Sequence, residues 1–295
     1  MMRVLHIDSG REMRGGQWQA LRLIAGLRAE GVDCTLLCRR GSPLWDKART
    51  GRLDVRPLGL WAVHKLSRQA DLVHAHDARS HTLAAVLARA PLVVSRRVAF
   101  PIHSRWKYAR AERYAAVSQF VKRVLMDAGV PEGKISVVYD GVPLGEPAPG
   151  GDNIVAPASA DTLKGAALAL DATRRAGVDL LLSSDLESDL ASARLFLYLT
   201  HSEGLGSAIL LAMAAGVPVI ASNVGGIPEI IRHRENGWLA QNEPEPIAEA
   251  LRELLADQPM ARRLAASGRQ TVAEKFSLNQ MIHSTIDLYR QVLSC

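Results

Sequence analysis

The chain has 295 residues, 48% of them hydrophobic and 22% charged, with a formal net charge of +6. That length holds two α/β domains or one large one with substantial cores, and no apolar run is long enough to span a membrane. Three cysteines, Cys34, Cys38 and Cys295, with no second Cys or His pair at zinc spacing to join Cys34 and Cys38, point to a reducing cytosol and no structural metal. The positive charge fits phosphate-bearing ligands, an anionic membrane surface or nucleic acid without choosing among them.

The opening, MMRVLHID, runs straight into a strand over residues 3–8 and has no signal-peptide pattern. Residues 9–16 form a loop with Gly10 and the pair Gly15-Gly16. Residues 17–29 follow as a helix with Leu21, Ile24, Ala25 and Arg28 on one side, and Asp33 opens the next strand. This is the β-loop-α-β start of a doubly wound fold. The loop is neither a GxGxxG fingerprint nor a P-loop, and Gly15-Gly16 taken alone reads as a tight turn before a helix.

Residues 41–70 are weakly patterned, with a strand at 55–58 and a helix at 62–69. The stretch DLVHAHD, residues 71–77, is a buried strand with a polar end, followed by a helix over 81–88. Ligands of open α/β sheets gather at the carboxyl ends of strands, where His76 and Asp77 fall. Alternation puts His74 and His76 on one face; His76 lies nearer the strand end. A satisfied structural histidine remains the other reading.

A strand at 91–95 leads to Arg97 and the basic aromatic stretch Ser104-Arg105-Trp106-Lys107-Tyr108-Ala109-Arg110. It is either a solvated basic face with two packed rings or a surface suited to an interface with anionic lipid. A strand at 113–117, a helix at 119–128 and a strand at 135–139 close the first half. The Pro- and Gly-rich residues 143–151 read as the linker, dividing a domain over 1–145 from one over 146–278, with a last helix over 279–295.

The second half places strands at 153–156, 179–183 and 194–199, with Lys164-Gly165 at the head of a helix ending at 176. Residues 201–231, HSEGLGSAILLAMAAGVPVIASNVGGIPEII, are the best-marked stretch. Glu203-Gly204-Leu205-Gly206 sets a carboxylate beside two glycines able to adopt φ > 0. Ser207 opens a helix whose first amides point back into that turn. Gly216-Val217-Pro218 stops it, residues 217–221 form a buried strand, and Gly225-Gly226 lies in a second loop before Glu229, which opens another helix. A carboxylate beside a helix N-terminus suits a ligand with hydroxyls and an anionic phosphate. Helices over 246–256, 260–275 and 278–294 complete the chain. There is no solenoid repeat.

This string resembles the family 4 retaining glycosyltransferases. Their pattern is an acid then Gly-aromatic/Leu-Gly, Leu-x-Glu-Ala-Met-Ala, Gly-x-Pro-Val-Val-Ala-Ser and Gly-Gly-x-x-Glu. Here it stands as Glu203 to Gly206, Leu211 to Ala214, Gly216 to Ser222 and Gly225 to Glu229. The resemblance implies a GT-B fold: an α/β protein of two Rossmann-like doubly wound parallel sheets facing a cleft, the last helix packing back on the first domain. It implies transfer of a sugar from a nucleotide-diphosphate donor, with retention and without a metal or other cofactor, to a glycan or lipid-linked acceptor. Glu203, Lys164 and His76 are then the catalytic set. Gly15, Gly16, Gly204, Leu205, Gly206, Ser207, Leu211 and Glu229 take the donor-binding positions. Arg97, Arg105, Trp106 and Lys107 fall on the acceptor or membrane side. A cytoplasmic protein at the inner membrane face, in polysaccharide or lipopolysaccharide synthesis, is the matching expectation.

Two departures stand out. The family's second acid is Leu211, and the arginine five residues before Lys164 is Ser159. The segment from Lys164 to His201 is also short by a strand-helix pair. These leave two alternatives beside full activity: a GT-B protein that binds nucleotide sugar or acceptor without efficient transfer, or a GT-B nucleotide-sugar epimerase. No nucleic-acid-binding motif is present.

Overall fold

Short apolar strands alternating with helices build two separate parallel sheets in the computed structural model, which describes residues 1–100, 102, 105–148, 150–158 and 165–294, without the Arg105 side chain. The chain divides into two units, residues 1–140 with 278–295 and residues 141–277.

The first unit holds β1 (Arg3–Ile7), β2 (Asp33–Cys38), β3 (Asp54–Pro57), β4 (Leu72–Ala75), β5 (Leu92–Arg96), β6 (Arg113–Ala116) and β7 (Ile135–Val137). Between them run α1 (Gly15–Ala29), α2 (Pro43–Thr50), α3 (Leu60–Ser67), α4 (Ala78–Leu87), α5 (Arg105–Ala109) and α6 (Gln119–Asp127). The sheet order is β3-β2-β1-β4-β5-β6-β7, every pair parallel. Helices cover both faces of such a sheet, which is why β4 and β5 are buried at every position. The order reverses between β1 and β4, so the crevice beyond their carboxyl ends is the place for a ligand.

The second unit holds β8 (Asn153–Pro157), β9 (Leu180–Ser183), β10 (Ala193–Tyr198), β11 (Val219–Ser222) and β12 (Trp238–Ala240). Its helices are α7 (Ala166–Ala176), α8 (Leu186–Asp189), α9 (Ser207–Ala214), α10 (Ile227–Ile230), α11 (Pro244–Ala256) and α12 (Gln258–Lys275). The order is β12-β11-β10-β8-β9, again parallel. Leu195, Leu197, Ile220 and Ile154 pack with Leu251, Leu254 and Ala172 in its core. Here the switch point lies between β8 and β10.

The last helix, α13 (Leu278–Leu293), belongs to the first unit. Its Met281, Ile282, Ile286, Leu288 and Tyr289 join Val4, Leu23, Ile24 and Leu27 in one cluster. Gly26 allows the close approach of α1 and α13, because a side-chain carbon there would overlap Ile282.

The structure corrects the sequence reading at several points. Gly15 and Gly16 form the first turn of α1, not the loop before it. The face of α1 turned inward is Ala20, Leu23, Ile24 and Leu27, while Ala25 and Arg28 are exposed, because both the sheet and α13 demand apolar contacts. In the weakly patterned region, α2 starts with Ser42 accepting from the Trp45 amide at 3.2 Å and Pro43 at the first helical position. Glu229 does not open a helix. It sits within α10, a single turn that ends at Ile230.

Candidate functional site

The second unit's switch point is assembled from two glycine loops. After β10 the chain is pinned by the Thr200 amide, which donates to Ser222 Oγ at 2.9 Å, and by Asn242 Nδ2, which donates to the Thr200 carbonyl at 2.9 Å. Thr200 and Ser222 are fully buried, so the loop leaves the sheet along a fixed path. Glu203 follows, half-buried. Its Oε2 accepts from the Tyr198 hydroxyl and its Oε1 from the Gly204 amide at 3.0 Å. Its carbonyl accepts from the Gly226 amide of the second loop at 3.2 Å.

The glycines are conformational requirements here. Gly225 has φ +60°, and a side-chain carbon on it would overlap the Glu203 carbonyl oxygen. Gly206, at φ +107°, is the residue before α9. Leu205 is 1% exposed and anchors the loop in the core, so only its backbone is available to a ligand. Ser207 begins α9, whose first-turn amides point back toward the loop. Leu211 lies a turn further along, half-buried, with no group that accepts a hydrogen bond. Glu229 is half-buried in α10. From β8, Gly165 takes φ +60° with its would-be side-chain carbon 2.8 Å from the Leu199 carbonyl oxygen. Gly165 therefore lies against the residue that follows β10. Lys164 and Ser159 lie outside the described residues.

The first unit's switch point holds a buried polar network. His6 and His74 are paired in the β1–β4 register, and the His76 ring lies 4.2 Å from that of His74. His6 Nδ1 and His76 Nε2 are hydrogen-bonded at 2.9 Å. His74 bonds the Tyr289 hydroxyl at 2.5 Å through Nδ1 and the Ser95 hydroxyl at 2.8 Å through Nε2. Burial holds all three rings neutral, driving His6 down to about 3 and His74 and His76 well below the usual histidine value.

One nitrogen from each ring lies within 4.8 Å of the other two, which raises a three-histidine metal centre. The donor set does not fit one. Both nitrogens of His74 are committed, and the facing nitrogens of His6 and His76 bond each other. Their outer nitrogens, His6 Nε2 and His76 Nδ1, are buried with no partner among the described residues, whereas a metal-bound imidazole is oriented by an acceptor on that side.

Asp8 is fully buried after β1. It accepts from the Gly10 amide at 2.8 Å and from Gln17 Nε2 at 3.2 Å. Burial, then the neighbouring Asp77 carboxylate, raises its pKa. Asp77 accepts from Ser9 N and Oγ at 2.6 and 2.7 Å and caps α4 through Arg79 N and Ser80 N. The two carboxylates thus set the course of the loop that delivers Gly15 and Gly16. Sequence reasoning missed His6, Asp8 and Gln17; the one available signal was the polar end of LHID at a strand terminus.

The basic aromatic face divides on inspection. Arg97 is not on an exposed surface: its Nε donates to Asp140 Oδ1 at 3.1 Å, with the side chains 14% and 9% exposed. The pair's mutual attraction draws it inward. Lys107 is half-buried, with Nζ 3.3 Å from Thr82 Oγ1. Trp106 is exposed, as are Leu60 and Trp61 of α3, where Lys65 Nζ lies 4.6 Å from the Trp61 ring.

A profile of the glycosyl transferases group 1 matches residues 157–271, and one of glycosyltransferase family 4 matches residues 13–146. The chain belongs to glycosyltransferase family 4. N-acetyl-alpha-D-glucosaminyl L-malate synthase of Bacillus anthracis is 35% identical over 105 residues, 35% of this chain and 28% of that protein. A GDP-mannose-dependent alpha-(1-6)-phosphatidylinositol monomannoside mannosyltransferase of Mycobacterium tuberculosis is 38% identical over 89 residues, 30% of this chain and 23% of that one. The chain thus matches less than a third of these relatives' length. Anabaena Alr3699/HepE, solved in complex with UDP-glucose, superposes with a TM-score of 0.88 at 17% identity, covering 99% of this chain and 100% of that one. Sucrose-phosphate synthase of Thermosynechococcus elongatus gives 0.79 at 19% identity over 100% of both chains. At these identities the likeness is one of fold, the GT-B type, with two Rossmann-like parallel-sheet units of seven and five strands.

The three neutral histidines set a pH response. Their folded pKa values lie below the unfolded value of about 6.5, so the unfolded chain takes up protons first. The stability they allow is fully present above that value and falls below it, by up to about 1.4 kcal/mol per pH unit for each histidine. His81, lowered to about 4, adds the same sign; Asp8, raised, carries the opposite one. Urea unfolding should give a constant midpoint from pH 8 to 7 and a falling one from pH 6 to 5. A midpoint unchanged at pH 5 would contradict this.

Proposed function

We propose that the protein is a retaining glycosyltransferase, moving a sugar from a nucleotide-diphosphate donor to a glycan or glycolipid acceptor. The observation that carries this reading is the junction of the two glycine loops at Glu203, beyond the carboxyl ends of β10 and β11, with the N-terminus of α9 beside it. Its parts match the needs of a sugar diphosphate: a carboxylate for hydroxyls and amides for an anion. The solved relative Alr3699/HepE, in complex with UDP-glucose, gives the donor class its precedent.

In this reading Glu203 accepts hydrogen bonds from the sugar and fixes its orientation. As oxocarbenium character builds, charge on the departing diphosphate is stabilised by Lys164 and the amides from Leu205 to Ser207. No step is assigned to a metal. A glycosidase would set two carboxylates across the anomeric carbon, and Leu211 supplies none. In the first unit, His76 is the histidine proposed to serve the sugar or acceptor, since His74 has both nitrogens engaged. Gly15 and Gly16, at the N-terminus of α1, are proposed to approach the donor phosphates or the acceptor.

Leu211 favours a second reading, a protein that binds nucleotide sugar with little transfer. It removes an acceptor for the ribose hydroxyls, a loss of roughly 1.5–3 kcal/mol.

Thermal shift with UDP-glucose, GDP-mannose and ADP-glucose, with and without EDTA, tests the donor site. One nucleotide class should stabilise the chain by about 2.7 kcal/mol at 100 times its Kd, regardless of EDTA, and Glu203→Ala and Lys164→Ala should weaken the effect. No shift with any donor would refute the reading; a shift without product in a transfer assay would select the binding protein.

A location at the cytosolic face of a membrane goes with a lipid-linked acceptor. Helices α3, α4 and α5 contain no Asp or Glu and carry exposed Leu60, Trp61, Val86 and Trp106, a composition suited to anionic headgroups. The chain should sediment with phosphatidylglycerol vesicles at low salt and not with phosphatidylcholine, and Trp61→Ala with Trp106→Ala should reduce this. Equal sedimentation with both lipids, or none, would remove the proposal.

A further inference from the structure

We propose that Tyr198 is a positioning residue whose hydroxyl holds the Glu203 carboxylate in the orientation the donor sugar requires. The inference rests on the role given to Glu203 above.

Tyr198 is the last residue of β10 and 7% exposed. Its ring lies 6.2 Å from that of Phe196, stacked at 27°. The strand and the core therefore fix where the hydroxyl points, and it points at Glu203 Oε2. Burial, then the Glu203 charge, pushes the Tyr198 pKa well up, so the group remains a donor at any working pH.

A glutamate in a loop has side-chain torsions to lose on binding a sugar, and holding it beforehand lessens that entropy cost. Contacts at its carbonyl and at both carboxylate oxygens hold this one. Gly226 fixes its carbonyl, the Gly204 amide takes Oε1, and Tyr198 takes Oε2. The two hydrogen bonds, one to each carboxylate oxygen, orient the group. A phenylalanine would pack the same space; the hydroxyl matters for the carboxylate.

The bare nucleoside diphosphate does not use this carboxylate, and the sugar does. That separates positioning from a general structural role, which would affect both ligands alike. The test is calorimetric titration of the wild-type chain, Tyr198→Phe, Glu203→Gln and the double variant, using UDP with UDP-glucose, GDP with GDP-mannose and ADP with ADP-glucose. For the pair that the wild-type chain binds, Tyr198→Phe should weaken the sugar nucleotide about tenfold and leave the diphosphate unchanged. Added to Glu203→Gln, it should cause no further loss. Equal loss for both ligands, no loss for either, or a full loss in the Glu203→Gln background would overturn the inference while the donor reading stands. A wild-type chain that binds sugar nucleotide no better than diphosphate, or binds neither, would overturn both.

Discussion

The constraint on which the second unit's site depends is the contact of Gly225 with the carbonyl of Glu203. The backbone at Gly225 is left-handed and has no room for a side chain, and the next amide, of Gly226, bonds that same carbonyl. Loops from two adjacent parallel strands are thereby locked at one residue, and that residue carries the carboxylate. Unlocked, a half-buried glutamate on a glycine loop would hold no fixed geometry, and a site is useful to a ligand only when its groups are set beforehand. The buried Thr200–Ser222–Asn242 hydrogen bonds serve the same end one step nearer the sheet.

The first unit achieves order differently. Its switch point is filled by neutral histidines, a buried aspartic acid and a tyrosine from a helix more than two hundred residues away in sequence. Burial keeps the imidazoles of this network neutral, and the hydrogen bonds its members make order the switch point. It joins the sheet to α13, so the last helix fills the apolar cluster and also completes the polar one.

Much of this was legible in the sequence, for reasons tied to particular residues. Parallel strands buried on both faces appear as short apolar runs, so DLVHA and LFLY identify themselves. The Glu203 loop could be read because glycines at positive φ and a carboxylate must occupy fixed places in the chain. What could not be read was pairing across distance. His6 is one histidine in a strand until the register sets it opposite His74, and nothing near Asp8 announces Gln17 as its partner. Arg97 looked like part of an exposed basic face because its partner, Asp140, lies 43 residues on. The inward face of α1 was misjudged because α13, from the far end of the chain, covers part of it.

The most direct test of this account is a calorimetric comparison of wild-type chain, Gly225→Ala and Gly177→Ala, titrated with UDP-glucose, GDP-mannose and ADP-glucose. Gly177 also has positive φ, +70°, but a side-chain carbon there would meet nothing within 4 Å among the described residues, so it controls for backbone strain alone. If the loop junction builds the donor site, the wild-type chain and Gly177→Ala will bind the same sugar nucleotide and Gly225→Ala will not. Equal binding by Gly225→Ala, or no binding by the wild-type chain, would contradict it.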